Sequence, residues 1–101
     1  MKYGLKEEEW EMLRNVFAKN PQIEKVVLYG SRAKGTYKPF SDVDITLVGD
    51  KLSTYDLADI INSIDELLLP YMFDISLYHK LKSTELLDHI NRRGIIIYQF
   101  Q

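Results

Sequence analysis

VVLYGSRAKG (residues 26–35) and SDVDI (residues 41–45) are the two segments that decide the fold of this chain. The first begins inside a nearly continuous apolar run, residues 23–29, which predicts a strand in the centre of a sheet. Gly30 ends that run, and Ser31 is well placed to cap the short helical turn predicted after it. The segment therefore predicts a buried strand that leads through a glycine turn into the start of a helix.

The second segment alternates apolar and acidic residues, which predicts a strand over residues 42–48. Because side chains in a strand alternate with period two, the carboxylates of Asp42 and Asp44 project from one face and the apolar side chains from the other. A later segment, residues 73–78, repeats this alternation and carries Asp74 on its polar face. The sequence thus predicts two strands that each have one apolar and one acidic face.

The remaining elements follow from helical spacing and turn residues. A capping box of Ser53 and Asp56 marks one helix start, and Gly94 is placed as the C′ residue of the last helix. These elements predict an α/β (α+β) fold with a mixed β-sheet, helices packed mainly on one face, and a polar face left open for a site. The predicted helices cover residues 5–19, 53–69 and 84–91, and a closing strand covers residues 95–98.

Composition narrows the class of protein. The chain has 101 residues, is 46% hydrophobic and carries a net charge of −2, which fits one domain over residues 1–101. The acidic balance gives no signal for general nucleic-acid binding. Cysteine is absent, which rules out a thiolate metal site and suits a reducing cytoplasm. The charged N-terminus and the short apolar runs predict neither a secretion signal nor a membrane span.

The glycine turn has the chemistry of a phosphate site. Gly30 has no Cβ, so its backbone can approach a ligand closely, and the helix start that follows favours an anion. Ser31 adds a hydroxyl donor, and Arg32 adds positive charge beside it. A strand terminator followed by a helix cap explains the same residues without any ligand, so both interpretations stand at this point.

The acidic faces have the chemistry of a metal site. Asp42 and Asp44 lie roughly 6–7 Å apart along a strand, so their carboxylates can converge on one hard cation or bracket two. Mg²⁺ takes oxygen ligands, often one or two carboxylates together with substrate phosphates. Asp74 could supply a third carboxylate from another strand. The alternative is that Asp42 and Asp44 belong to the solvated face of an edge strand. His79 and His89 lack metal-ligand spacing and are assigned surface or packing roles.

A family resemblance covers nearly the whole chain. Gly30-Ser31, ten further residues and then Asp42-Val43-Asp44 resemble the signature of the polymerase-β-type nucleotidyltransferases. The string GSRAKGTYKPFSDVDI is similar to the minimal nucleotidyltransferases (MNT), as are FDISLY and NRRGIIIYQ further on. The resemblance implies a nucleotidyltransferase fold in which Asp42 and Asp44 bind metal, Asp74 is the third catalytic acid, and Gly30 and Ser31 hold the nucleotide's phosphates.

The resemblance also implies a role and a cofactor set. Two Mg²⁺ ions and ATP would support transfer of AMP to an acceptor hydroxyl, with Asp74 positioning or deprotonating that hydroxyl. Many relatives of this kind are antitoxins that modify a tyrosine of a HEPN-domain toxin. Three alternatives stay open: neutralisation of the partner by occlusion, transfer to a small molecule, and transfer to RNA. The acceptor site would come from another chain, from a second copy of this chain, or from the acceptor protein itself.

Overall fold

The computed structural model describes residues 1–100 and contains a four-stranded sheet with helices on both faces. The strand order is β3-β2-β1-β4; β2 and β3 run parallel, and the other two pairs are antiparallel. The mixed sheet predicted from the sequence is confirmed. The elements are α1 Glu7–Ala18, β1 Lys25–Tyr29, α2 Ser31–Lys34, β2 Val43–Val48, α3 Thr54–Asp65, β3 Phe73–Leu77, a 3₁₀ turn Tyr78–Lys80, α4 Thr84–Arg93 and β4 Ile95–Gln99.

One face of the sheet carries the main core. Val43, Ile45 and Leu47 of β2 are fully buried there. They pack in one cluster with the apolar sides of α1 and α3, including Phe17 and Ile64. Complete burial of a side chain of this size contributes about 1.5–3 kcal/mol, so this face dominates the stability of the sheet.

The opposite face is covered by a single helix, α4. Ile90 of α4 packs against Val27 and Tyr29 of β1, with Leu86 beside them. Two long helices on one face and one helix on the other agree with the predicted arrangement of helices mainly on one face. The face that carries the acidic residues is therefore only partly covered, and Asp74 at its edge stays exposed.

Two helix ends differ from the sequence prediction. The helix expected to reach residue 69 ends at Asp65, because Leu67 and Leu68 donate to carbonyls only three residues back and Leu68 has a left-handed φ of 56°. The last helix, α4, ends at Arg93 rather than at residue 91, and Gly94 is its C-cap residue with a φ of −66° rather than a left-handed C′ residue. A Cβ at Gly94 would collide with the Ile90 carbonyl oxygen and with Val27. Glycine is therefore needed there for close packing of α4 on β1.

The capping box predicted at the start of α3 is confirmed. The Ser53 hydroxyl accepts from the Asp56 N–H at 3.2 Å, and the Asp56 carboxylate accepts from the Ser53 N–H at 2.8 Å. The hydrogen bond from the Ser53 backbone lowers the pKa of Asp56, aided by the Ser53 hydroxyl and Asn20. Among residues 1–100, no helix is both long and apolar enough to cross a lipid bilayer.

Candidate active site

Sheet register brings two of the predicted acids together. Asp44 of β2 is paired with Asp74 of β3 on one side and with Tyr29 of β1 on the other. Neighbouring strands lie about 4.8 Å apart, so the two carboxylates emerge side by side from the same face. The second strand begins at Val43 rather than at residue 42 as predicted, so Asp42 lies one residue before it. The Asp42 side chain is exposed.

Asp44 is the acid whose ionisation its surroundings disfavour. Burial raises the pKa of Asp44, and the negative charges of Asp74 and Asp42 raise it further, while Arg32 acts in the opposite direction. Burial also raises the pKa of the Tyr29 hydroxyl, and the charges of Asp74 and Asp44 add to that effect. A cation placed among these carboxylates would relieve the repulsion between them.

Gly30 places the turn directly against Asp44. Its φ of 77° and ψ of −156° lie in a region that essentially only glycine occupies. A Cβ at this position would overlap the Asp44 carboxylate oxygen Oδ2. Only glycine can adopt this backbone conformation and also leave room for the Asp44 carboxylate. Gly30 therefore brings the predicted phosphate turn next to the predicted metal site.

Gly30, and not Ser31, is the N-cap residue of α2. This corrects the predicted capping role of Ser31, which is the first residue within the helix and is half-buried. The first N–H groups of a helix have no acceptor within the helix, and they favour an anion. Ser31 and the first N–H groups of α2 thus follow directly after the glycine that packs against Asp44.

Arg32, predicted to add positive charge beside Ser31, turns its side chain into the protein. Its side chain is 1% exposed. Its guanidinium donates to the Ser41 carbonyl from Nε at 3.1 Å and Nη2 at 2.7 Å, and to the Tyr3 carbonyl from Nη1 at 2.8 Å. The rings of Tyr37 and Tyr71 lie 5.2 and 5.4 Å from its Cζ atom. Arg32 therefore holds the loop ahead of Asp42.

The donor set fits Mg²⁺ in kind, although the acids do not form a closed ligand cage. Over residues 1–100, no three acidic, histidine or cysteine side chains are grouped as metal ligands are. Mg²⁺ commonly takes one or two carboxylates and completes its octahedron with water and substrate phosphates. Asp44 and Asp74 are paired on one face of the sheet and Asp42 lies just before β2, so a nucleotide's phosphates would have to complete such a site.

Sequence reasoning missed one residue at this site, His89 of α4. Its Nε2 atom accepts a hydrogen bond from the Gly30 N–H at 2.9 Å. Its ring also meets the ring of Tyr29 edge-on, with centroids 6.1 Å apart. Spacing of three residues from Leu86 indicates the packed side of α4. Only the sheet topology places that side over the glycine turn, so the sequence alone could not reveal the contact.

The sequence of this chain matches a known protein family and a curated relative. Residues 11–101 match the family described as "Polymerase beta, Nucleotidyltransferase". A curated relative from Methanocaldococcus jannaschii, provisionally named a protein adenylyltransferase, is 42% identical over 50 residues. That alignment covers 50% of this chain and 46% of the relative, so the chain spans about half the length of the curated protein it matches.

Solved structures match the fold over nearly the whole chain. A chain of a toxin–antitoxin crystal structure with AMP-PNP superposes with a TM-score of 0.71 at 21% identity, covering 96% of this chain and 76% of that one. A chain of the MntA–HepT toxin–antitoxin structure gives 0.67 at 16% identity, with 95% and 74% covered. The Shewanella oneidensis complex of a tri-AMPylated HEPN toxin with an MNT antitoxin gives 0.60 at 17% identity, with 91% and 74% covered.

Sheet order, the glycine turn and the paired acids define a nucleotidyltransferase fold. The family match extends over most of the sequence. The chain belongs to the polymerase-β nucleotidyltransferase family.

Proposed function

We propose that this protein is a Mg²⁺-dependent nucleotidyltransferase that moves AMP from ATP onto a hydroxyl of a partner protein. The acceptor in this proposal is a tyrosine of a HEPN-type toxin, and the protein acts as the antitoxin in the cytoplasm. The observation that carries the proposal is the register of Asp44 with Asp74, with Gly30 seated against Asp44. Family membership and the antitoxin structures with the same fold support it.

The chain's own residues would divide the work as follows. The glycine turn holds the phosphates through the Ser31 hydroxyl and the backbone N–H groups that follow Gly30, since the Gly30 N–H itself donates to His89. Asp74, which is exposed on β3 beside Asp44, receives the proton of the attacking hydroxyl. The oxygen of that hydroxyl bonds to the α-phosphorus while the bond to the bridging β-phosphate oxygen breaks, and pyrophosphate leaves. AMP stays on the acceptor oxygen.

Asp42 and Asp44, with Asp74, would hold the metal. Two Mg²⁺ ions bound there would neutralise the triphosphate and stabilise the attacking and leaving oxygens. Burial and the charges of Asp74 and Asp42 raise the pKa of Asp44, and a cation bound beside it would offset both effects. Arg32 is engaged by backbone carbonyls instead.

A protein acceptor is supported by the surface around the acids. Phe40, two residues before Asp42, is 82% exposed, and Met72, two residues before Asp74, is 73% exposed. Both line one groove with Pro39, Ser41 and the segment Leu69–Tyr71. Large apolar side chains exposed together beside a site are typical of a surface that contacts another protein.

The proposal is tested by incubating the purified protein with its HEPN-type partner, Mg²⁺ and α-labelled ATP. We expect label on the partner, located at a tyrosine by mass spectrometry. EDTA should abolish the transfer, and added Mg²⁺ should restore it. Asp42→Asn should lower transfer at least about a hundredfold, because charge stabilisation in the transition state is lost. Asp59→Asn, on exposed α3 surface, is the matched control and should transfer normally.

Two outcomes would overturn the catalytic role. One is an absence of label on the partner under conditions where the protein is folded and the partner is inhibited. The other is full inhibition of the partner by an Asp42→Ala/Asp44→Ala double variant. Either result would instead favour neutralisation by occlusion through the Phe40 and Met72 surface. Label on a small molecule or on RNA, but not on protein, would redirect the acceptor assignment.

A further inference from the structure

The Gly30 peptide is held by a residue far away in the sequence. Its N–H donates to Nε2 of His89 at 2.9 Å, across a separation of 59 residues. The pairing of β1 with β4 ends at Leu28, and its pairing with β2 ends at Tyr29. His89 therefore supplies an acceptor for Gly30 just beyond the last paired residue of either neighbouring strand.

His89 is itself fixed by packing. The neighbouring residue Ile90 is 4% exposed in the cluster that joins α4 to β1. The His89 ring meets the buried Tyr29 ring at an interplanar angle of 76°, in an edge-to-face contact. To accept through Nε2, the neutral imidazole carries its proton on Nδ1. The half-buried ring is thus held by its contact with Tyr29 and by its hydrogen bond to Gly30.

The conformation of Gly30 makes this support necessary. With φ at 77° and ψ at −156°, the peptide lies outside the regions that stabilise regular structure, and glycine samples many alternatives. A rotation of this peptide would move Gly30 away from the Asp44 carboxylate and redirect the start of α2. A hydrogen bond to a packed imidazole selects the one conformation that keeps both in place.

We infer that His89 is a positioning residue: through its hydrogen bond to the Gly30 N–H it fixes the glycine turn that holds the triphosphate against Asp44. The inference rests on the proposed nucleotide site, and it assigns α4 a part in that site. His89 acts through Gly30, so its removal should weaken nucleotide binding and alignment while the acids stay in place.

Three variants test this role. His89→Ala removes the acceptor. His89→Gln places an amide oxygen at similar reach and restores an acceptor. His79→Ala removes the other histidine, which is exposed in the 3₁₀ turn, and is the matched control. Each protein is measured for AMP-PNP affinity, for kcat and KM of AMP transfer, and for deuterium exchange of the Gly30 amide by NMR.

We expect His89→Ala to weaken AMP-PNP binding and raise the KM for ATP about three- to tenfold, as loss of one hydrogen bond predicts. Gly30 exchange should accelerate by a similar factor. His89→Gln should recover most of each value, and His79→Ala should match the wild type. Equal behaviour of the Ala and Gln variants, or unchanged Gly30 exchange and affinity in His89→Ala, would overturn the inference.

Failure of the proposed function is recognised separately. A wild-type protein that binds no AMP-PNP and transfers no AMP would refute the nucleotide site before any variant is compared, and the positioning role would fall with it. A wild type that binds and transfers, with a His89→Ala variant that does both equally well, would refute the role of His89 alone.

Discussion

The two faces of β2 show how one strand serves stability and chemistry with alternate residues. On one face, Val43, Ile45 and Leu47 have no exposed surface. On the other, Asp44 is half-buried and lies beside the exposed Asp74. A shift of one residue in register would exchange the two faces, so burial of the apolar trio fixes where the carboxylates meet. Burial of the apolar face therefore fixes the position of Asp44 and Asp74 on the opposite face.

The largest expected effect is on the acidic face. Asp44→Asn should reduce AMP transfer at least about a hundredfold, because the amide cannot replace a charged metal ligand. Its stability should be unchanged or higher, since burial and the charges of Asp74 and Asp42 disfavour the ionised carboxylate. Label transfer and thermal unfolding without metal, measured on the same sample, check both parts. A large fall in Tm would show that Asp44 supports the core and would break the comparison between the faces.

The apolar face should show the opposite pattern. Ile45→Ala is expected to lower the free energy of unfolding by about 2–5 kcal/mol, through lost burial and the cavity left behind. Urea unfolding gives this value, with exposed Ile96→Ala on β4 as the control that should cost much less. Where Ile45→Ala is still folded, its transfer rate should stay within a few-fold of wild type. An Ile45→Ala protein that lost AMP transfer but kept its stability would contradict the assignment of stability to one face and chemistry to the other.

Arg32 tests the comparison in another way, because its guanidinium binds backbone carbonyls and lies on neither face of β2. Arg32→Met should cost about 2–4 kcal/mol, since the buried carbonyls of Tyr3 and Ser41 would lose charged donors. Lys34→Met, at the exposed end of α2, is the control and should unfold like the wild type. Denaturant midpoints compare the two. If Arg32→Met were fully stable but bound AMP-PNP more weakly, the result would support the phosphate contact predicted from the sequence.

The smallest effect is expected at the start of α3, away from Asp42, Asp44 and Asp74. Ser53→Ala should cost about 1 kcal/mol through loss of the helix cap. The Ser53 N–H is the main cause of the lowered folded-state pKa of Asp56. The ionised Asp56 carboxylate therefore stabilises the folded protein at neutral pH, and this stabilisation is lost as the pH falls through the lowered pKa. Unfolding curves at pH 7 and at acidic pH check the direction. A contribution that grows on acidification would contradict this assignment.

Local chemistry made much of the fold and site predictable. Period-two alternation placed the acids of the second and third predicted strands on polar faces, and Gly30 marked the turn. The pairing of Asp44 with Asp74 could not be predicted, because it depends on a parallel register between strands separated by α3. The contact between His89 and Gly30 could not be predicted either, because it depends on how α4 packs over β1.

Arg32 shows a different limit of sequence reasoning. A cation beside a phosphate turn is expected to face the anion, and the neighbouring Ser31 encouraged that interpretation. The structure directs the guanidinium inward, because carbonyls from the N-terminal segment and from the loop before Asp42 converge on it. Nothing in the local pattern distinguishes a buried arginine from a solvated one, since its acceptors are backbone atoms.

The guanidinium of Arg32 binds Tyr3 and Ser41 at once, and Trp10 holds the adjoining Lys2 carbonyl through its indole N–H at 2.9 Å. The first few residues are therefore mechanically linked to the loop that ends at Asp42. Proteolytic removal of residues 1–4 should raise amide exchange across residues 36–42 and slow AMP transfer, although residues 1–4 are remote in sequence from Asp42, Asp44 and Asp74. Unchanged exchange in the trimmed protein would show that the link transmits nothing. If the link holds, cleavage at the N-terminus would be a means of inactivating the protein that leaves the acids themselves intact.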